Sequence, residues 1–319
     1  MARELICICG PTGVGKTDLA LALALAADGE IVNADSRQLY RGMDIGTAKP
    51  TPEERARVPH HLIDVLDPAE PCSAGRFARM ADAAIAAIRA RGRRPIVVGG
   101  TGLYLRALVD GIWEGPRADP ALRAALAAVA DRNGRGEPHR MLARLDPASA
   151  AAIHPNDVHK TIRALEITLL CGEPASSLRA RHGFPGRHGA AWFGLTRPRA
   201  ELYDRIDRRV EAMIAAGWVD EVRRLLAAGI PLDAPGMNAL GYAEIARHVH
   251  GEWPLAAAIQ AVQMASRRYA KRQFTWFRKD ARLLWLDVSG ASPPDLVASV
   301  LNGAKQGESR VDVTISEAP

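Results

Sequence analysis

Residues 5–17 constrain the fold more than any other stretch of this 319-residue chain. Leu5-Ile6-Cys7-Ile8-Cys9 is an apolar run of strand length. It leads into Gly10-Pro11-Thr12-Gly13-Val14-Gly15-Lys16-Thr17, which matches G-x-x-x-x-G-K-[ST] at every position. Nine apolar residues, 19–27, follow. Their alternating leucines imitate a strand, but Ala and Leu are the strongest helix formers, and the motif requires a helix after its loop. Leucines on two faces predict a helix buried on both sides. In such a loop, glycines let backbone N–H groups turn inward around phosphate oxygens, and the helix N-terminus adds partial positive charge. Lys16 is placed to reach terminal phosphates and Thr17 to ligate Mg²⁺.

Residues 30–34 and 94–98 read as further strands, with an Ala-rich helix over 76–91 between them. This alternation predicts an α/β fold: a P-loop NTPase-like parallel sheet flanked by helices. From 119 to about 188 the pattern changes to helices and loops without a strand. Asp119-Pro120 and Asp146-Pro147 each place a capping side chain before a proline at the first helical position. Residues 156–170 predict a longer helix with Gly172 as its stop. Residues 191–195 read as a strand returning to the sheet, so the helices form an insertion. Further helices are predicted at 201–215, 218–227 and 255–277, and a last strand at 283–288. The expected organisation is a core over 1–112, a helical insertion over 113–190, the second part of the core over 191–290, and a flexible tail over 302–319.

The phosphate loop specifies a ligand, not a reaction. An NTPase usually also closes a second apolar strand with an Asp that helps hold Mg²⁺. Here the strand at 94–98 runs into Gly99-Gly100-Thr101-Gly102. Asp35 closes an early strand but is followed by Ser36 and Gln38, and Asp287 comes late. From these residues alone, an ATP-dependent P-loop small-molecule kinase and a non-catalytic RNA-binding P-loop protein remain alternatives to a transferase.

No apolar run is long enough to span a bilayer, and the N-terminus lacks a signal-peptide pattern, so a cytoplasmic protein is expected. The four cysteines show no paired C-x-x-C spacing, which argues against a disulfide framework or zinc site. His60 and His61 lack suitably spaced partners and are expected to be hydrogen-bonded loop histidines. The net charge of +6 is modest, but it is concentrated. Residues 267–282 carry seven cations against one acid, a net +6 equal to the excess of the whole chain. Arg268, Lys271 and Arg272 suit an RNA backbone. Among the interleaved aromatics, Phe274 and Phe277 have the i, i+3 spacing of a buried stripe.

Several motifs recur in order: Gly10–Thr17, Asp35-Ser36-Arg37-Gln38-Leu39-Tyr40, Gly46-Thr47-Ala48-Lys49-Pro50 and His60-His61-Leu62-Ile63-Asp64. They continue with Gly99-Gly100-Thr101-Gly102-Leu103-Tyr104, His154-Pro155-Asn156-Asp157, Arg163-Ala164-Leu165-Glu166 and Gly241-Tyr242-Ala243-Glu244. The last is Arg268-Tyr269-Ala270-Lys271-Arg272-Gln273-Phe274-Thr275-Trp276-Phe277-Arg278. Together they resemble the tRNA dimethylallyltransferase (isopentenyl-diphosphate:tRNA transferase) family in its bacterial type, from the phosphate loop to about Arg278.

The resemblance implies transfer of a dimethylallyl group from its diphosphate to N6 of the adenosine next to a tRNA anticodon. The partners would be tRNA and dimethylallyl diphosphate, the cofactor Mg²⁺, and the working form a monomer away from membranes. The loop Gly10, Pro11, Thr12, Gly13, Val14, Gly15, Lys16 and Thr17 would then hold a diphosphate leaving group. Asp35 matches the family's general base, and Thr101 the residue that contacts the target nucleotide. Asp35, Ser36, Arg37 and Gln38 match a tRNA-contacting segment. His159, Lys160, Thr161, Ile162 and Arg163 align with another, where family members often have Gln-Arg, so His159-Lys160 is a departure. Arg123 aligns with a further tRNA contact. Arg205 and Arg209 share a helix face and resemble arginines near the diphosphate; ion pairs with Glu201 or Asp204 are the alternative. Cys72 stands where the family often has Tyr.

Overall fold

The computed structural model describes residues 5–113, 115–183 and 186–313. Six parallel strands form one sheet: β1 (Leu5–Cys9), β2 (Gly29–Asn33), β3 (His60–His61), β4 (Arg94–Gly99), β5 (Ala190–Thr196) and β6 (Leu284–Asp287), in the order β3-β2-β4-β1-β5-β6. The side chains of β1 are fully buried, which is why that strand is apolar throughout rather than alternating. Cys9 lies opposite Gly99, and Asn33 opposite Val98. Strands β1, β2 and β4 therefore end at one level and deliver their following loops to one edge of the sheet. From β1 the chain runs first to one side of the sheet and later, at β5, to the other. Ligands of open α/β sheets bind at such a switch point.

The chain divides into two compact units. The first comprises the chain to Asp110 and from Gly186 onward, and contains the sheet. Its first half holds α1 (Lys16–Ala26), α2 (Pro52–Arg57), α3 (Ala74–Ala90) and α4 (Gly102–Val109). The second unit, Gly111–Pro185, holds α5 (Pro120–Asn133), α6 (Glu137–Leu145), α7 (Pro147–Ala152), α8 (Val158–Cys171) and α9 (Ala175–His182). The chain then adds α10 (Arg199–Ala215), α11 (Trp218–Ala227), α12 (Tyr242–Val249), α13 (Leu255–Phe277) and α14 (Pro293–Val313) to the first unit.

The core of the first unit joins Ile6, Ile8, Ile96 and Phe193 of the sheet to Leu19 and Leu23 of α1 and Val300 and Ala304 of α14. Helix α1 is thus covered on both sides, as its leucine pattern predicts, although Leu25 is 51% exposed. Burying each such leucine contributes about 1.5–3 kcal/mol. Here the expectation of a loose tail over 302–319 is corrected. Residues 293–313 are helical, and Val297, Val300 and Ala304 recur at helical spacing with less than a tenth of their surface exposed. Their small side chains gave too weak a period to read. The rest of that expectation, 314–319, lies outside the described residues.

In the second unit the predicted caps form. The Leu122 N–H donates to Asp119 Oδ1, and the Ser149 N–H to Asp146 Oδ1, both at 3.0 Å. Helix α8 stops at Gly172 in a left-handed conformation, φ 71°. Leu126, Leu142, Ile153, Ala164 and Leu165 make its core. The short elements β3, α2, α4, α6, α9 and α12 have no counterpart in the sequence reading. No helix among the described residues is long and apolar enough to cross a membrane.

Candidate active site

The loop after β1 wraps toward the N-terminus of α1. Gly15 sits at φ 108°, a conformation costly for any residue with a Cβ. Lys16 Nζ donates to the Gly10 and Pro11 carbonyls at 3.1 and 2.8 Å, so the ammonium is folded beneath the loop. Two arginines of the chain after β5 brace the loop from outside. Arg197 Nε donates to the Val14 carbonyl at 2.9 Å, and Arg205 Nε to the Gly13 carbonyl at 3.1 Å. The expected rival pairings of Arg205 and Arg209 do not form: Glu201 pairs with Arg197, and Asp204 with Arg208.

The turn after β2 is held by its own side chains. The Asp35 N–H donates to Asn33 Oδ1 at 3.0 Å, and Asn33 Nδ2 donates to the Leu62 carbonyl at 2.9 Å. The Arg37 N–H donates to Asp35 Oδ1 at 2.8 Å. The Ser36 N–H donates to Thr101 Oγ1 at 3.0 Å, which ties this turn to the loop after β4. The Thr101 hydroxyl keeps its own proton available to donate. Gln38 Nε2 donates to the Thr47 and Ala48 carbonyls at 3.2 and 3.0 Å. Arg37 donates through a guanidinium nitrogen to the Pro235 carbonyl at 2.9 Å.

Two cavities meet at this turn. The first, about 590 Å³, is lined by Lys16, Thr17, Arg205, Arg208 and Arg209 on its polar side and by residues such as Ile31, Ile63 and Val98 on its apolar side. The second, about 260 Å³, is lined by Ser36, Arg37, Trp218, Asn238 and Arg272, among others. Thr12, Asp35, Thr47, Ala48, Arg209 and Tyr269 line both. Asp35 therefore stands at their junction. Burial lowers Lys16 to about 8, helped by Arg209 and opposed by the charge of Asp35. Burial likewise lowers Arg209, and it pushes the Tyr269 phenol up to about 12. Each shift reflects the cost of charge in a poorly hydrated wall.

Beside the second cavity runs α13. Arg268, Lys271 and Arg272 are exposed on it, and none has an acidic partner among the described residues. Tyr269 lies under Arg272, whose guanidinium carbon is 5.6 Å from the ring centroid. Phe277 is buried, with 2% of its surface exposed, as its spacing predicts. Phe274 is half-buried and stacks on Trp285 at 6.0 Å.

Residues 38–280 match the family model described as IPP transferase, and residues 3–64 the one described as isopentenyl transferase. The chain belongs to the IPP transferase family. Among its relatives, a tRNA dimethylallyltransferase of Anaeromyxobacter sp. (strain K) is 53% identical over 298 residues, which cover 92% of this chain and 95% of the relative. A solved tRNA isopentenylpyrophosphate transferase from Bacillus halodurans is 40% identical, with a TM-score of 0.72 over 97% of this chain and 99% of that one. A solved eukaryotic dimethylallyltransferase acting on tRNA is 27% identical, with a TM-score of 0.76 over 90% of this chain and 74% of that one. The P-loop NTPase-like sheet is thus the fold of this transferase family.

Within this family member, the phosphate loop, Asp35–Gln38, Thr101, Arg205, Arg209 and the basic helix gather in the first unit. Gly10, Pro11 and Val14 are buried and act through their backbone, while Thr101 lines neither cavity and supports Ser36. Arg123, His159, Lys160, Thr161, Ile162 and Arg163 lie in the second unit. Arg123 Nε and a terminal nitrogen donate to Glu166 at 2.9 Å, and Arg163 donates to the same carboxylate at 2.5 Å. Glu166 itself is fully buried. Burial alone would raise it, but these guanidinium bonds outweigh burial and hold it at about 2. Both arginines therefore have a structural task. Thr161 is 1% exposed, because α8 turns it into the core, which corrects its expected RNA contact. His159 and Lys160 are exposed, Lys160 pairing with Asp157 at 2.7 Å, and Ile162 is half-buried.

The sequence reading assigned no role to Asn33, Arg197, Glu221 or Gln273. Buried Glu221 of α11 accepts the N–H groups of Asp44, Ile45 and Gly46 and the Tyr242 hydroxyl, at 2.7 to 3.1 Å. It fixes the segment that carries Thr47 and Ala48 into both cavities. The Gly46–Pro50 and Gly241–Glu244 motifs are the two ends of this contact and could have suggested it. His60 and His61 bond Val58 and Glu30.

Proposed function

We infer that this chain transfers a dimethylallyl group from dimethylallyl diphosphate to N6 of the adenosine next to a tRNA anticodon. The observation that carries the reading is the junction at Asp35. One carboxylate lines both a cation-walled cavity behind the phosphate loop and a second cavity that reaches Arg272 on an exposed basic helix. A diphosphate seated in the first and a base entering the second would meet there. Reaching that depth requires the base to leave its stack.

The exocyclic amine of adenine is a poor nucleophile and gains from a carboxylate that takes its proton. In the reaction, N6 bonds to the allylic carbon, the C–O bond breaks, and diphosphate leaves with the electron pair. The N6 proton passes to Asp35. Its Oδ1 is engaged by the Arg37 N–H, and Oδ2 has no partner among the described residues. Negative charge growing on the diphosphate is offset by loop N–H groups, Lys16, Arg205 and Arg209. Ile31, Ile63 and Val98 supply an apolar wall for the five-carbon chain.

Among the described residues, no group of three or more His, Cys, Asp or Glu side chains could hold a metal alone. That suits Mg²⁺ carried with a diphosphate, since this ion is commonly held by one or two protein oxygens together with phosphates and water. Thr17, lining the cavity beside Lys16, is the side chain that would reach it. When bound, the ion would neutralise charge on the leaving group. A cytoplasmic monomer is the proposed working form; both cavities are lined by one unit of a single chain, which supports a site that needs no second copy. Transfer is favoured over ATP-dependent phosphorylation because β4 ends in glycine rather than in a metal-binding Asp.

The test is incubation with dimethylallyl diphosphate, Mg²⁺ and unmodified tRNA, then mass spectrometry of the nucleosides. Adenosine heavier by one dimethylallyl group is the expected product. Phosphate transfer from ATP to a metabolite, or RNA binding with no modified base, would overturn the reading.

A further inference from the structure

Gln273 of α13 is 5% exposed, and its carboxamide spans two loops. Its Oε1 accepts the Thr12 N–H at 2.8 Å, and its Nε2 donates to the Gly100 carbonyl at 2.9 Å. Thr12 belongs to the phosphate loop. Gly100 precedes Thr101, whose hydroxyl receives the Ser36 N–H beside Asp35. A Cβ at position 100 would fall 2.2 Å from Gln273 Nε2, so a glycine is what admits the amide. One side chain therefore links the loop that would hold the leaving group to the turn that carries the proposed base.

The chemistry of the link is specific. It needs one acceptor and one donor on the same planar group at this length of side chain. A carboxylate cannot donate, an ammonium cannot accept, and an apolar side chain can do neither. A need for volume alone would be met by methionine or leucine. The link also originates on the helix that presents Arg268, Lys271 and Arg272.

We propose that Gln273 is a positioning residue for group transfer, setting the phosphate loop and the Asp35 turn in register from the basic helix. The proposal rests on the prenyl-transfer reading above. Without the amide, the groups that bind each substrate are all still present, but the phosphate loop and the Asp35 turn lose their mutual register and the reacting atoms their alignment. A displacement of about 1 Å can cost about a hundredfold in rate.

The test uses the full chain with dimethylallyl diphosphate, Mg²⁺ and unmodified tRNA. Wild-type turnover is measured first; its absence would sink the prenyl-transfer reading and this proposal with it. With wild type active, Gln273→Met is expected to lower kcat about 10- to 100-fold while both KM values stay within about threefold. Gln273→Glu supplies a readout that a packing role would not move. Its protonated acid can accept from Thr12 and donate to Gly100, whereas its carboxylate meets the Gly100 carbonyl with repulsion. The ratio of its kcat to that of wild type should therefore rise as pH falls toward about 5. Unchanged kcat in Gln273→Met, a loss confined to KM, or a flat ratio for Gln273→Glu would overturn the proposal. Should Gln273→Met fail to fold, as seen by circular dichroism, the pH profile of Gln273→Glu decides.

Discussion

Asp35 and Lys16 divide the two tasks of the proposed transfer between a base for the N6 proton and a cation for the leaving diphosphate. In Asp35→Asn the side chain keeps its shape and its bond from the Arg37 N–H, but it cannot take a proton. Turnover should fall by about 100-fold or more while tRNA affinity is retained. Single-turnover assays alongside filter binding check both, and a fully active variant would remove Asp35 from the role of base. Lys16, lowered to about 8 by burial, begins to lose its charge just above neutral pH in the free protein. Bound diphosphate favours the charged form and raises that value. Where the diphosphate is itself fully ionised, above about pH 7, its affinity should therefore be flat up to about pH 8 and fall up to tenfold per pH unit beyond it. Calorimetry across that range, with proton uptake near pH 8, measures it. Lys16 stands out in the sequence because the phosphate-loop spacing marks it, whereas Asp35 is singled out only by the family resemblance. Gln273 and Arg197 were not legible there, because their partners lie 261 and 183 positions away and only folding reveals them.

Among the elements, α13 shows how a charge count misleads. Arg267 is neutralised by Asp207 at 2.5 Å, and Arg282 by Asp110 and Asp280 at 2.5 and 2.6 Å. The strip that sums to +6 in sequence thus exposes a smaller field made chiefly by Arg268, Lys271, Arg272, Arg278 and Lys279. Replacing Arg268, Lys271 or Arg272 by Gln should weaken tRNA binding and flatten its log–log salt dependence by about one unit each, whereas Arg267→Gln should leave that slope nearly unchanged. Titrations at several salt concentrations separate the two cases. On α11, Glu221→Gln replaces one accepting oxygen by an amide that must face donors. A loss of about 1–3 kcal/mol in urea unfolding is expected. Long elements such as α13 were readable to the residue because many turns repeat the same signal. Helix α14 was not, since alanine and valine at its inner positions carry little contrast with the polar residues between them.

Over the whole molecule, acid should lower the stability of the fold. Glu30 is held low by Arg91, burial notwithstanding, with His61 adding to it. In the second unit, burial would raise Asp146 and Glu166, but hydrogen bonds from Ser149 and Ser176, and from Arg123 and Arg163, lower both. Folded-state values below the unfolded ones mean that the native protein binds fewer protons across that window. The stabilisation is complete above the ordinary carboxyl range and is lost as pH falls toward about 2 for Glu166. Urea midpoints should thus drop steadily below about pH 4.5, and Glu166→Gln should blunt the part owed to the second unit. The parallel sheet was legible at this scale because alternation of strand and helix is a coarse signal. The two-residue β3 was not, because its pairing to β2 is all that defines it.

Helices α1 and α14 pack against each other although they come from opposite ends of the described sequence. A ribosome makes α1 early and α14 late. Until the later helix emerges, one flank of α1 stays wet, and the cradle that α1 anchors has no finished support. In a nascent chain the packing of α1 would therefore be completed only once α14 has been made.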